Sequence, residues 1–361
     1  MRPVHRWALV AATCALVIGV PYAVRARPVA DPGVGAADLV GRVRAASGTA
    51  YSGTVDVEGR LGLPIADHFT DLADLFGGES RLRVWWRGDD DWRVDRLLAT
   101  GEVDLFHHAN RTVSWDYERQ EARTDVDPRV RLPRDSDLLP PQIATRALDG
   151  APASAVTRLP ARRVAGVAAA GLRVSMTDPR SSIDHVDLWV DPDTGLTLSV
   201  EVYGTTPHPV LSAEFTTLTL ATPDPETTRF RPVPGVHPIY DSVLDIADAA
   251  DQFAPVRPPA EVAGFARSSG ASGAAGIYGT GLTRLLALPL PDHEAADLAG
   301  QLKVSGATKV DGRELLRVGP LGVTLTSTNL HDGTRWLLAG SVTDDTLARA
   351  AEDVTAGTSP R

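Results

Sequence analysis

Residues 36–48 carry apolar positions at helical spacing: Leu39, Val40, Val43 and Ala46 share one face, and Gly48 ends the run. The period then drops to two. Tyr51 to Gly59 reads as a strand, and in the next, Ser80 to Gly88, Leu82, Val84 and Trp86 alternate with Arg81, Arg83, Trp85 and Arg87. Asp91 to Thr100, Glu102 to His108 and Arg111 to Tyr117 continue the series with short polar turns between them. Evenly spaced strands and turns of this kind predict an antiparallel sheet that curls or closes.

Two helical segments interrupt the strands. Phe69, Leu72, Leu75 and Phe76 form one apolar face within Leu61 to Gly78, and Asp137 to Gly150 turns helical after Pro140 and Pro141, with Ile143, Ala147 and Leu148 inward. More strands follow at Leu172 to Thr177, Ile183 to Asp191, Leu196 to Gly204 and Val210 to Leu220. The run Asp191-Pro192-Asp193-Thr194-Gly195 joins two of them as a hairpin turn. It lacks the later ligands and closing glutamate of a calcium loop.

From Thr222 to Pro259 the chain is proline-rich around a helical segment near Asp241 to Phe253. The remainder predicts a smaller α+β unit. Its strands fall near Ile277 to Tyr278, Leu282 to Leu288, Arg313 to Val318, Val323 to Ser327 and Thr334 to Ala339. Its helices fall at Asp292 to Leu302 and Asp344 to Val354, the latter capped by Thr343. The expected division is therefore residues 1–30 as an export signal or anchor, 36–235 as the large domain, 236–259 as a linker with a helix, and 260–356 as a small domain.

The first of these segments places the protein outside the cytoplasm. Arg2, His5 and Arg6 precede Trp7 to Val24, 18 residues without a charge, and Arg25 and Arg27 follow. At about 1.5 Å per residue such a helix reaches the edge of what spans a bilayer core. Residues 7–24 are thus expected either to hold the chain at the membrane or to be cleaved on secretion. Cys14, the single cysteine, lies inside this run, so the folded part has no thiol and no internal disulfide. A formal charge of −10 is the wrong sign for gathering nucleic-acid phosphates. Lys303 and Lys309 are the only lysines among many arginines, the bias of a high-GC bacterial genome.

No phosphate loop, nucleophile elbow, zincin helix, dinucleotide fingerprint or paired zinc ligands occur, so no catalytic residue, metal ligand or cofactor is expected. Adjacent histidines on a strand point to opposite faces, which disqualifies His107 and His108 as a chelating pair. GDDDW, Gly88 to Trp92, reads as a solvated hairpin turn. Tryptophans on successive strands are more suggestive of chemistry. Leu82, Val84, Trp86, Trp92, Val94 and Trp115 are the candidate lining of an apolar ligand cavity, set against ordinary core filling.

The order of elements resembles the LolA-like superfamily, and in particular the RseB/MucB-type proteins and their actinobacterial relatives. The residues that carry the resemblance are the YSGTV strand (Tyr51 to Val55), RLRVWWRG (Arg81 to Gly88) and VDLWVDPDTGLTLSVEVYG (Val186 to Gly204). The tail adds GIYGTGLTRLLALPLP (Gly276 to Pro291) and DGTRWLLAGSVTDDTLARAAEDV (Asp332 to Val354), similar to the small domain that RseB-type proteins carry. The resemblance implies an α+β fold, a half-open antiparallel β-barrel covered by helices, plus a small C-terminal α+β domain. It implies a non-enzymatic, extracytoplasmic regulatory sensor of envelope stress that takes a lipid-like, acyl or lipoprotein ligand in the barrel. Its membrane partner would be an anti-sigma factor, through which it would act on sigma-factor regulation. The alternative is a carrier of lipid or lipoprotein that works with a membrane transporter.

Overall fold

The computed structural model describes residues 29–61, 76–127, 131, 133–236, 239, 251, 256–268, 273–310, 312–326, 334–357 and 359–360. The 7–24 apolar run, most of the expected 61–78 helix and nearly all of the 241–253 helix lie outside them. Among the described residues no helix is long and apolar enough to cross a membrane.

Eleven antiparallel strands form one sheet. They are β1 (Tyr51–Gly59), β2 (Glu79–Gly88), β3 (Asp91–Leu97), β4 (Glu102–His108), β5 (Arg111–Asp116), β6 (Glu121–Val126), β7 (Val156–Val164), β8 (Val167–Ser175), β9 (His185–Val190), β10 (Thr197–Tyr203) and β11 (Pro209–Thr219). Their order is β6-β5-β4-β3-β2-β1-β11-β10-β9-β8-β7, two meanders joined where the first strand pairs with the last. The edges, β6 and β7, do not pair with each other, so the sheet stays open. These two edges are the strands that periodicity does not reveal. EARTDV and VTRLPARRV are half-exposed and charged; Ile239 bridges the free side of the first, and the second contains Pro160 and a register shift, features by which an edge avoids further pairing.

The inner face closes over two helices, α1 (Ala36–Ala45) and α2 (Pro140–Leu148). Helix α1 buries Leu39 and Val43; α2 starts on Pro140 and Pro141 and buries Ile143, Ala144, Ala147 and Leu148. These side chains share one core with Val55, Leu82, Val84, Val94, Leu188 and Phe215. The Asp191 to Gly195 turn forms as expected. Asp191 accepts from the Asp193 amide at 3.0 Å and from the Thr194 hydroxyl at 2.6 Å, and Gly195 takes φ +76°. A Cβ at Gly195 would sit 2.3 Å from the Arg42 carbonyl oxygen, so this glycine also lets α1 approach the hairpin.

The second sheet has six strands: β12 (Gly276–Thr280), β13 (Thr283–Pro291), β14 (Thr308–Val310), β15 (Arg313–Val318), β16 (Leu321–Leu325) and β17 (Thr334–Gly340), in the order β12-β13-β17-β16-β15-β14. Helices α3 (Asp292–Val304) and α4 (Asp344–Gly357) pack on it, and the Thr346 amide donates to the Thr343 hydroxyl at the start of α4, the expected cap. The loop between β8 and β9 joins the two sheets. Arg180 donates to the Gly264 carbonyl at 2.6 Å and lies 3.6 Å over the Phe265 ring; Thr283 and Ser181 share a hydroxyl contact at 3.0 Å.

Candidate functional site

Strand register decides which tryptophans meet. Tyr51 stands opposite Trp86, Trp86 opposite Trp92, and Trp92 opposite His107. The four rings stack as a ladder across β1 to β4, with centroid separations of 6.1, 5.6 and 4.9 Å. The Arg134 guanidinium lies 4.9 Å over Trp92.

Beside this ladder opens a cleft of about 280 Å³, bounded by Trp86, Trp92 and His107 on the sheet and by Gln142, Thr145 and Arg146 on α2. Its remaining wall is ionic. Arg134 grips Asp127 through two nitrogens at 3.0 and 2.8 Å and donates to the Thr112 hydroxyl at 2.7 Å. Asp137 accepts from Arg131 at 2.5 and 3.1 Å, from the Arg134 amide at 2.9 Å, and from Arg146. Burial alone would raise the Asp137 carboxyl, but the Arg131 pair outweighs it and holds the group at about 2. The same contest, won by Arg134 and Thr112, lowers Asp127. His107 is lowered by burial itself, which disfavours its cation. Thr112 gives its one proton to Asp127 at 2.6 Å, which assigns His107 Nδ1, 3.0 Å away, as the donor to Thr112 Oγ1.

Five of the six residues expected to line a cavity lie on this inner face. Trp86 and Trp92 border the cleft. Leu82, Val84 and Val94 are fully buried in the core. Trp115 is the correction: it stands opposite Asp104 on the outer face, packed with Phe106, Ala122 and Phe230. The two-residue turn after His108 pairs His108 with Arg111, and that register sends Val113 and Trp115 outward while Thr112, Ser114 and Asp116 face in. The cleft also differs from the apolar cavity expected, since its charged wall comes, apart from Asp89, from residues 127–146, a stretch without a recognisable motif.

The outer face holds a second ionic group. Asp95 and Asp104 face each other across β3 and β4, both essentially without solvent exposure. Arg93 bonds both, at 2.6 and 2.8 Å; Arg83 bonds Asp95 at 3.1 Å and also Glu102. Three carboxylates thus meet two guanidinium groups. Burial, with Asp95 and Glu102 nearby, pushes Asp104 up to about 8. The carboxylate oxygens of Asp95, Glu102 and Asp104 lie within 4.8 Å of one another, close enough for a cation, but the two arginines already neutralise most of their charge.

The fold is that of MucB, an RseB-type protein. MucB in its complex with MucA(peri) matches 90% of this chain and 99% of its own, at 19% identity and a TM-score of 0.50. The Pseudomonas aeruginosa MucA/MucB complex matches the same shares at 19% identity and a TM-score of 0.51. A LolA superfamily protein from Nitrosomonas europaea matches 55% of this chain and 99% of its own, at 9% identity and a TM-score of 0.26. No protein-family model matches the sequence, and no curated protein matches it.

Proposed function

We propose that this chain is an extracytoplasmic, non-enzymatic regulatory sensor that binds a membrane anti-sigma factor and responds to a ligand taken up beside α2. One observation carries the reading: the likeness to MucB runs through both sheets and nearly the whole length, and MucB has been solved in complex with MucA. The ligand enters through the cleft. There two tryptophans meet three arginines and three aspartates, a lining suited to a polar or zwitterionic head group or a charged peptide side chain. A carrier that swallows acyl chains needs open apolar volume, and Leu82, Val84 and Val94 leave none at their positions. The 7–24 run supplies export or anchoring in this reading.

Photo-crosslinking tests the proposal. A photoreactive residue at Thr145, exposed on the cleft rim, is placed in the full chain expressed in its own envelope. Crosslinks to the extracytoplasmic part of a membrane anti-sigma factor, with altered transcripts of its sigma factor in a deletion strain, are the expected result. Crosslinks to transporter components with unchanged transcripts would establish the carrier instead.

A further inference from the structure

We propose that a hydrogen-bonding subsite for one uncharged oxygen lies in the small cavity that Tyr51 and Thr197 line beside the cleft, and that a water molecule fills it in the free protein. This subsite stands apart from the functional reading above and does not depend on it. Tyr51 and Thr197 are each 1% exposed, and the hydroxyl of each is buried without a hydrogen-bond partner among the described residues. Both residues line the same small cavity, with Ser47, Thr49, Gln142 and Thr145 around it. That cavity measures about 10 Å³, close to the least space that admits one water.

Two orphaned hydroxyls in one fold are costly, whereas a shared water would satisfy both at once. The chemistry of the lining selects an uncharged guest. Every polar group named is a hydroxyl or an amide, and burial pushes the Tyr51 phenol far above its usual value, so it stays a neutral donor and acceptor. Trp86, Gln142 and Thr145 border both this cavity and the cleft, so a ligand hydroxyl entering the cleft could replace the water by moving those three side chains.

Thermal unfolding of the full chain carrying Tyr51→Phe, Thr197→Val or both discriminates between a wet and a dry cavity. With the water present, each single change breaks its bridge and lowers Tm by about 2 °C or more, and the double change costs less than the sum because the water is lost once. A dry cavity gives the opposite: each change removes an unsatisfied hydroxyl and raises Tm. Higher Tm in the single variants, or losses that simply add, would overturn the proposal. A high-resolution crystal structure gives the second arm. Density for one oxygen within hydrogen-bonding reach of both hydroxyls supports water, density continuous into the cleft supports a ligand hydroxyl at the same subsite, and no density there overturns both.

Discussion

Strands β1 to β5 present two faces of unlike character. The inner face stacks Tyr51, Trp86, Trp92 and His107 beside α2 and turns ionic where it meets residues 127–146. The outer face runs Arg83, Asp95, Asp104 and Trp115 in one row, with Phe230 covering Phe106 and Trp115. On the inner face Asp127 has the Arg134 guanidinium to itself and Asp137 has two, Arg131 and Arg146; on the outer face three acids share two. The same residue types therefore behave oppositely: Asp137 is held at about 2 and Asp104 is pushed to about 8. Partner count, rather than burial alone, decides whether a buried carboxyl is a fixed charge or a proton holder.

The sharpest way to break this comparison is Trp92→Ala, which removes the centre of the inner ladder. A loss of about 3–5 kcal/mol is expected by denaturant unfolding. A loss under about 1 kcal/mol would mean the ladder is not part of the cooperative core. Asp137→Ala comes next. It leaves Arg131 and Arg146 without their shared acceptor and should cost about 2–3 kcal/mol at pH 7, discounted because both arginines reach solvent.

Asp137 also sets an acid limit. Its folded value lies below the 3.8 of a free aspartate, so its stabilisation is full above pH 4 and fades as pH falls through about 2. The variant should therefore unfold with a flatter pH dependence between pH 4 and 2.

Asp104 carries the opposite sign. Its folded value exceeds 3.8, so its contribution is full below pH 4 and is lost as pH rises through about 8. Asp104→Asn keeps the neutral shape without the titration. Between pH 5 and 8 the wild type should lose stability relative to this variant by roughly 1 kcal/mol per pH unit, and parallel curves would show that Asp104 is ionised throughout. The smallest expected effect is Phe230→Ala. Half-buried over the outer face, it should cost about 1 kcal/mol by denaturant unfolding.

Much of this architecture was readable in advance. Alternation placed Leu82, Val84 and Trp86 on one face of β2, and helical spacing identified Ile143, Ala147 and Leu148 as the buried side of α2. The edge strands β6 and β7 escaped because an edge strand buries little area, so its alternation is blurred by charge. Trp115 escaped for a different reason. Counting back from the two-residue turn at Ala109 and Asn110 places it opposite Asp104, but composition alone groups it with the other tryptophans.

Local periodicity determined the elements, the faces of the central strands, the Asp191 to Gly195 hairpin and the Thr343 cap, since each depends on residues a few positions apart. Tertiary structure alone decided that β1 joins β11, that residues 127–146 bring their arginines and aspartates against Trp86 and Trp92, and that Tyr51 and Thr197 line a single cavity. Those contacts join segments up to about 165 residues apart, and nothing in the spacing of side chains along a strand or helix specifies which distant strand will pair with it.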